Sequence, residues 1–86
     1  MQLKLTWRVK GKQDMDLLVS EEQEIAETME ILEEKGLLKE GTAREVPYIR
    51  SMRTKNQVNV LLTYREAEIY SGDILELEEA DGEEER

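Results

Sequence analysis

The sequence predicts an α+β fold: one mixed sheet of four to five strands with a single helix packed across one face. Three observations carry this reading. Two runs near the N-terminus alternate apolar and polar residues with period two. One later run has helical periodicity, bounded by start and stop signals. Finally, Thr63 to Leu77 fits a helical turn, an apolar Ile69, a Gly72-Asp73 turn and a short strand into close succession.

The elements follow in order. Leu3, Leu5, Trp7 and Val9 alternate with Lys4, Thr6, Arg8 and Lys10, so one face of this strand is buried. Trp7 shares parity with Leu3 and Leu5, which puts it in the core or at its rim. Gly11-Lys12 suits a tight turn, and Met15, Leu17 and Val19 resume the alternation with Asp14 and Asp16 outward. Ser20-Glu21-Glu22-Gln23 has the form of a capping box that opens a helix over about 21–35. Ile25, Met29 and Leu32 form its apolar stripe, flanked by Ala26 and Thr28, and Gly36 ends it. Leu37 and Leu38 tuck under the helix end, and 39–45 is loop. Pro47 starts or edges a strand. Tyr48 to Arg53 and Gln57 to Leu61 form a hairpin around Lys55-Asn56. Its parity has two solutions. Ile49 inward, the preferred one, exposes Tyr48, Arg50 and Met52; the other register buries Tyr48 and Met52. Thr63-Tyr64-Arg65-Glu66 opens a single turn through a second capping box, and Ile74, Leu75 and Leu77 form the last strand. The order implies first and last strands paired in parallel at the centre, which needs the long crossover between them. The domain spans 1–78, and 79–86 is an acidic segment too poor in apolar residues to fold.

Composition narrows the chemistry. The chain has 86 residues, no Cys and no His. Disulfides and thiolate sites are excluded, together with the commonest general base and the commonest transition-metal ligand. Ser20, Ser51 and Ser71 have no histidine to activate them, and the carboxylates stand in solvated runs. Neither an enzyme nor a cofactor is expected. Asp73, Glu76, Glu78, Glu79 and Asp81 lack calcium-loop spacing, so nothing beyond weak divalent-ion binding is expected of them. No apolar run reaches the ~20 residues that span a bilayer, so a soluble, cytoplasmic protein without membrane insertion is expected. A net charge of −9 argues against nucleic acid as partner.

The charge is segregated. Residues 20–35 carry seven glutamates against Lys35, and 66–86 carry ten acidic residues against Arg86. The cations gather on the first strand (Lys4, Arg8, Lys10) and the hairpin (Arg50, Arg53, Lys55). On the uncovered side of the sheet they would make a positive face opposite an acidic helix, suited to docking an acidic protein partner or the cytosolic domain of a membrane component. The same pattern also fits an ordinary solvated sheet. Tyr48, Met52 and Tyr70 are candidates for an exposed apolar patch; the alternative puts Tyr48 or Met52 in the core.

Met1-Gln2-Leu3-Lys4-Leu5, Gly11-Lys12, Leu17, Val19, Ile25 and the Thr63–Leu77 stretch resemble ubiquitin and its β-grasp relatives in order and spacing. The resemblance covers 1–78 and implies a β-grasp, ubiquitin-like fold. Conjugating and sulfur-carrying members act through a Gly-Gly terminus, which this sequence lacks. Tyr48-Ile49-Arg50, followed by Ile69-Tyr70-Ser71-Gly72-Asp73-Ile74-Leu75-Glu76-Leu77, is most similar to the YukD-like group of small ubiquitin-like proteins. These are cytosolic accessory components of bacterial type VII secretion, which exports WXG100-type substrates. The resemblance implies a non-conjugating module that binds a component of such a machine. Two alternatives stand beside it: a modifier or carrier whose extension is removed, and a self-assembling scaffold module.

Overall fold

The computed structural model describes residues 1–79. Five strands and two helices follow the order β1 (Gln2–Val9), β2 (Met15–Ser20), α1 (Ile25–Glu34), α2 (Thr42–Glu45), β3 (Tyr48–Ser51), β4 (Asn56–Asn59) and β5 (Ile74–Leu77). The sheet order is β2-β1-β5-β3-β4. β1 and β5 lie parallel at its centre, with Trp7 opposite Leu75 and Arg8 opposite Glu76. The other pairs are antiparallel. This is the β-grasp arrangement expected from the sequence, with five strands.

The alternation of β1 survives in full. Leu3, Leu5, Trp7 and Val9 are buried, and Trp7 sits in the core, fully buried. On α1, Ile25, Ala26, Thr28, Met29 and Leu32 are buried against the sheet. Burial of a large apolar side chain contributes roughly 1.5–3 kcal/mol, so Ile25, Met29 and Leu32 supply a large part of what holds so small a domain together.

Three local assignments are corrected. The helix starts at Ile25, with Glu24 as its cap. Ser20 cannot cap it, because Ser20 is still paired with Gln2 in the ladder. The first-turn amides are satisfied from outside: Ile25 N–H donates to Leu62 O (3.0 Å) and Ala26 N–H to Val60 O (2.8 Å). The reciprocal bond comes from Glu27, whose carboxylate accepts the Glu24 N–H at 3.3 Å. Second, 42–45 is a helical turn and not loop. Its entry is built by Glu33, whose carboxylate accepts the amides of Gly41 (3.1 Å) and Ala43. Glu33 is therefore a cap for α2, while its neighbours on the glutamate stripe face water. Gly41 has φ +93°, a left-handed conformation that suits glycine. Third, the hairpin strands are shorter than expected, 48–51 and 56–59, because Lys55 turns the chain at φ +64°.

The Thr63–Glu66 box forms as expected. Thr63 N–H donates to the Glu66 carboxylate and Glu66 N–H to the Thr63 hydroxyl, both at 3.0 Å. Leu38 is buried under the helix end, but Leu37 is not.

Two buried polar groups, Tyr64 and Asp73, tie distant segments together. The Tyr64 hydroxyl donates to the Thr28 hydroxyl at 2.6 Å, joining the turn to α1. Burial pushes the Tyr64 phenol far above its ordinary pKa, a rise its bond to Thr28 only partly offsets. Asp73 is buried and accepts three bonds: from the Ser51 hydroxyl (2.6 Å), Arg53 N–H (3.1 Å) and Ile74 N–H (2.8 Å). It ties the end of β3 to the start of β5.

Candidate functional site

Helix α1 covers one face of the sheet. The other face is open, and it presents the residues of opposite parity: Lys4, Thr6 and Arg8 from β1, with Lys10 just past its end, Ile74 and Glu76 from β5, Tyr48 and Arg50 from β3, Asp16 and Leu18 from β2. The hairpin adopts the register with Ile49 inward, so Tyr48 and Arg50 face solvent and Ser51 faces in.

The register arranges these side chains in rows across the strands. One row holds Arg8, Glu76, Arg50 and Gln57 in sequence. Asp14 closes it beyond Arg8, through hydrogen bonds of 3.2 and 3.1 Å. That bidentate bond raises the Arg8 pKa and holds Asp14 below the usual carboxylate range. Lys10 pairs with Glu78 at 3.4 Å. Around this row lies an open groove of about 680 Å³, whose lining includes Arg8, Lys10, Tyr48, Arg50, Glu76 and Glu78. Its cations are interleaved with carboxylates, so this end of the face is mixed in charge.

The other end is different. The β1 backbone at Lys4 is stitched to the 70–72 loop: Lys4 N–H donates to the Ser71 hydroxyl (3.0 Å) and Gly72 N–H to Lys4 O (2.8 Å). The Arg53 guanidinium stacks over the Tyr70 ring, 5.0 Å from its centroid. It also donates to Glu68 O at 2.8 Å. Lys4, Arg53 and Lys55 form no ion pair within 4 Å among the described residues. Leu18, opposite Lys4, is 65% exposed and Tyr70 56%.

The eight residues named from the sequence therefore fall into two groups. Arg8, Lys10, Tyr48 and Arg50 line the groove. Lys4 and Arg53 lie at the Tyr70 end, with Lys55 in the same turn as Arg53. Met52 is half-buried where β3 runs out. Tyr48 lines the groove, whereas Tyr70 precedes β5 and lies under the Arg53 guanidinium. Leu18 was missed, although its signal was present: it is an apolar residue at an outward position of an otherwise alternating strand.

The carboxylates considered as metal ligands are dispersed. Asp73 is buried in backbone bonds and Glu76 stands between two arginines. Glu79 closes a clasp at the exit of β5, where its carboxylate accepts Lys12 Nζ (2.8 Å) and Lys39 N–H (2.7 Å). Asp81 and the rest of the proposed acidic tail beyond Glu79 lie outside the described residues. No helix among the described residues is long and apolar enough to cross a membrane.

No protein-family model and no curated protein matches the chain. Solved structures do. A de novo design based on ubiquitin is 21% identical with a TM-score of 0.68, over 99% of this chain and 96% of its own. The C-terminal ubiquitin-like domain of mouse tubulin-specific chaperone e is 12% identical with a TM-score of 0.71, over 98% and 92%. The ubiquitin-like domain of Plasmodium falciparum Dsk2 is 10% identical with a TM-score of 0.67, over 93% and 100%. The fold is ubiquitin-like.

Proposed function

We propose that this chain is a ubiquitin-like protein-binding module that docks a protein partner through the open face of its sheet. It works by binding and catalyses no reaction. One observation supports this most: α1 covers a single face, and the opposite face exposes Tyr48 and Leu18 among cations, with Tyr70 exposed under Arg53 in the turn before β5. Aromatic residues and arginine are enriched in protein interfaces. The neighbours found by fold are also ubiquitin-like domains of larger or designed proteins.

In its finer form the proposal is a non-conjugating, cytosolic accessory component of a bacterial type VII secretion machine. The support is the similarity of Tyr48-Ile49-Arg50 and Ile69–Leu77 to the YukD-like group, together with the absence of a Gly-Gly pair from the sequence.

The test is site-specific photo-crosslinking in the host cell. A benzophenone amino acid at position 48 or 70 should capture a partner, and one at the exposed Ile31 of α1 should not. Mass spectrometry of the adduct identifies the partner. Capture from position 31 alone would overturn the docking face, and capture of proteins unrelated to secretion would overturn the finer reading.

A further inference from the structure

The two ends of the open face are not equivalent, and the difference indicates what kind of segment docks there. This inference rests on the docking face proposed above and names the partner chemistry.

At the groove end every cation is matched or flanked: Arg8 by Asp14 and Glu76, Lys10 by Glu78, Arg50 by Glu76. An incoming carboxylate would have to displace ion pairs already made. At the opposite end Lys4 and Arg53 have no carboxylate partner among the described residues. Arg53 is also preorganised. Its guanidinium is stacked on Tyr70 and anchored through one N–H to Glu68 O, so little rotamer freedom remains to be lost. The other donors of its fork remain for a bidentate carboxylate. Between Lys4 and this stack the chain places Gly72, where an added Cβ would meet nothing within 4 Å. The surface there is open down to the backbone. Leu18 and Tyr70 offer exposed apolar area on the two sides.

We propose that the Lys4–Arg53–Tyr70 end of the sheet docks an acidic peptide segment of a partner protein, one that carries an apolar residue beside its carboxylates. Arg53 takes a carboxylate through its free donors. Lys4 takes a second across the Gly72 gap, and the apolar residue lies on Tyr70 or Leu18. The net charge of −9 does not forbid this. The glutamate stripe lies on α1, behind the sheet, and at 0.15 M salt charges further off than about 8 Å are largely screened.

The experiment is an NMR titration of the ¹⁵N-labelled full chain at 0.15 M NaCl and pH 7. The probe is an end-blocked octapeptide EDELFEDE, with KRKLFKRK as the charge-reversed control. The acidic peptide should shift the amides of Lys4, Leu18, Arg53 and residues 70–72. Arg53→Glu or Lys4→Glu should weaken it at least tenfold, with the spectrum still dispersed as for a folded domain. Lys35→Glu, which changes net charge equally at the end of α1, should stay within twofold. Shifts confined to the Arg8–Tyr48–Arg50 groove would overturn this inference and leave the docking face standing. Equal shifts from the basic control would overturn it as well, and so would no shift at all; the crosslinking experiment then decides the docking face separately. Concentration-dependent shifts at the same amides without peptide would replace the external partner with a second copy of this chain.

Discussion

Trp7 and Arg8 are neighbours on β1, yet they stand in different surroundings. Trp7 is fully buried beneath α1, at the level of Leu75. Arg8 faces water across the same ladder and holds Asp14. On the inner face side chains are fixed by packing, so a change in volume is felt at once. On the outer face they are held by exposed ion pairs, which contribute little to stability. The inner face accounts for the fold, and the outer face is the one proposed above for docking.

The sharpest break of that contrast is Trp7→Ala against Arg8→Ala. Truncating a fully buried aromatic residue costs about 3–5 kcal/mol. That is a large fraction of the stability expected of a domain this size, about 4–13 kcal/mol. The Trp7 variant should lose cooperative urea unfolding or shift its midpoint strongly, while the Arg8 variant should keep the wild-type midpoint. Similar losses in both would show that the outer face carries stability after all.

Asp73 comes next, because it is a polar group on the inner side. Asp73→Ala strands the Ser51 hydroxyl and two backbone amides. Leaving buried donors unmade costs about 2–4 kcal/mol here. Hydrogen exchange should accelerate first in the amides of Arg53 and Ile74.

Tyr64→Phe is a smaller change on the same side. It removes the bond to Thr28 and should cost about 1–2 kcal/mol. Its pH signature is distinctive. The folded phenol titrates above its unfolded value, so its contribution is intact below the ordinary tyrosine range and is lost as pH rises beyond it. The Tyr64→Phe chain should therefore lose less stability than wild type between neutral and strongly alkaline pH.

The inner face was legible in the sequence because period-two and helical stripes are local signals. Leu3 to Val9 and Ile25 to Leu32 took the places their spacing required. What was missed depends on residues distant in the chain. The helical turn at 42–45 exists because Glu33 reaches its amides, and nothing within 39–45 announces that. The helix cap moved to Glu24 because Gln2 holds Ser20 in the ladder. On the outer face, the sequence grouped cations by strand but could not place Glu76 between Arg8 and Arg50. Only the β1-β5-β3 register does that, and it divides one expected positive face into a neutralised end and a free one.

Glu79 tests whether an exposed-side ion pair can still carry a local structural role. Its carboxylate joins the β1–β2 turn, through Lys12, to the loop after α1, through Lys39 N–H. Lys12 also donates to Leu37 O at 3.2 Å, so three segments meet at one clasp. Burial alone would raise the Glu79 pKa, but the Lys12 ammonium and the Lys39 amide outweigh it and hold the group below the ordinary carboxylate range. The clasp contributes fully above the unfolded carboxylate pKa and is lost as pH falls through the lower folded value. Glu79→Gln should leave the global unfolding midpoint at pH 7 nearly unchanged. It should nonetheless raise hydrogen exchange of the Lys39 amide, and wild type should acquire the same exchange rate only in acid. A Lys39 amide equally protected in both proteins at pH 7 would mean that the loop is held by its own turn and that the clasp is incidental.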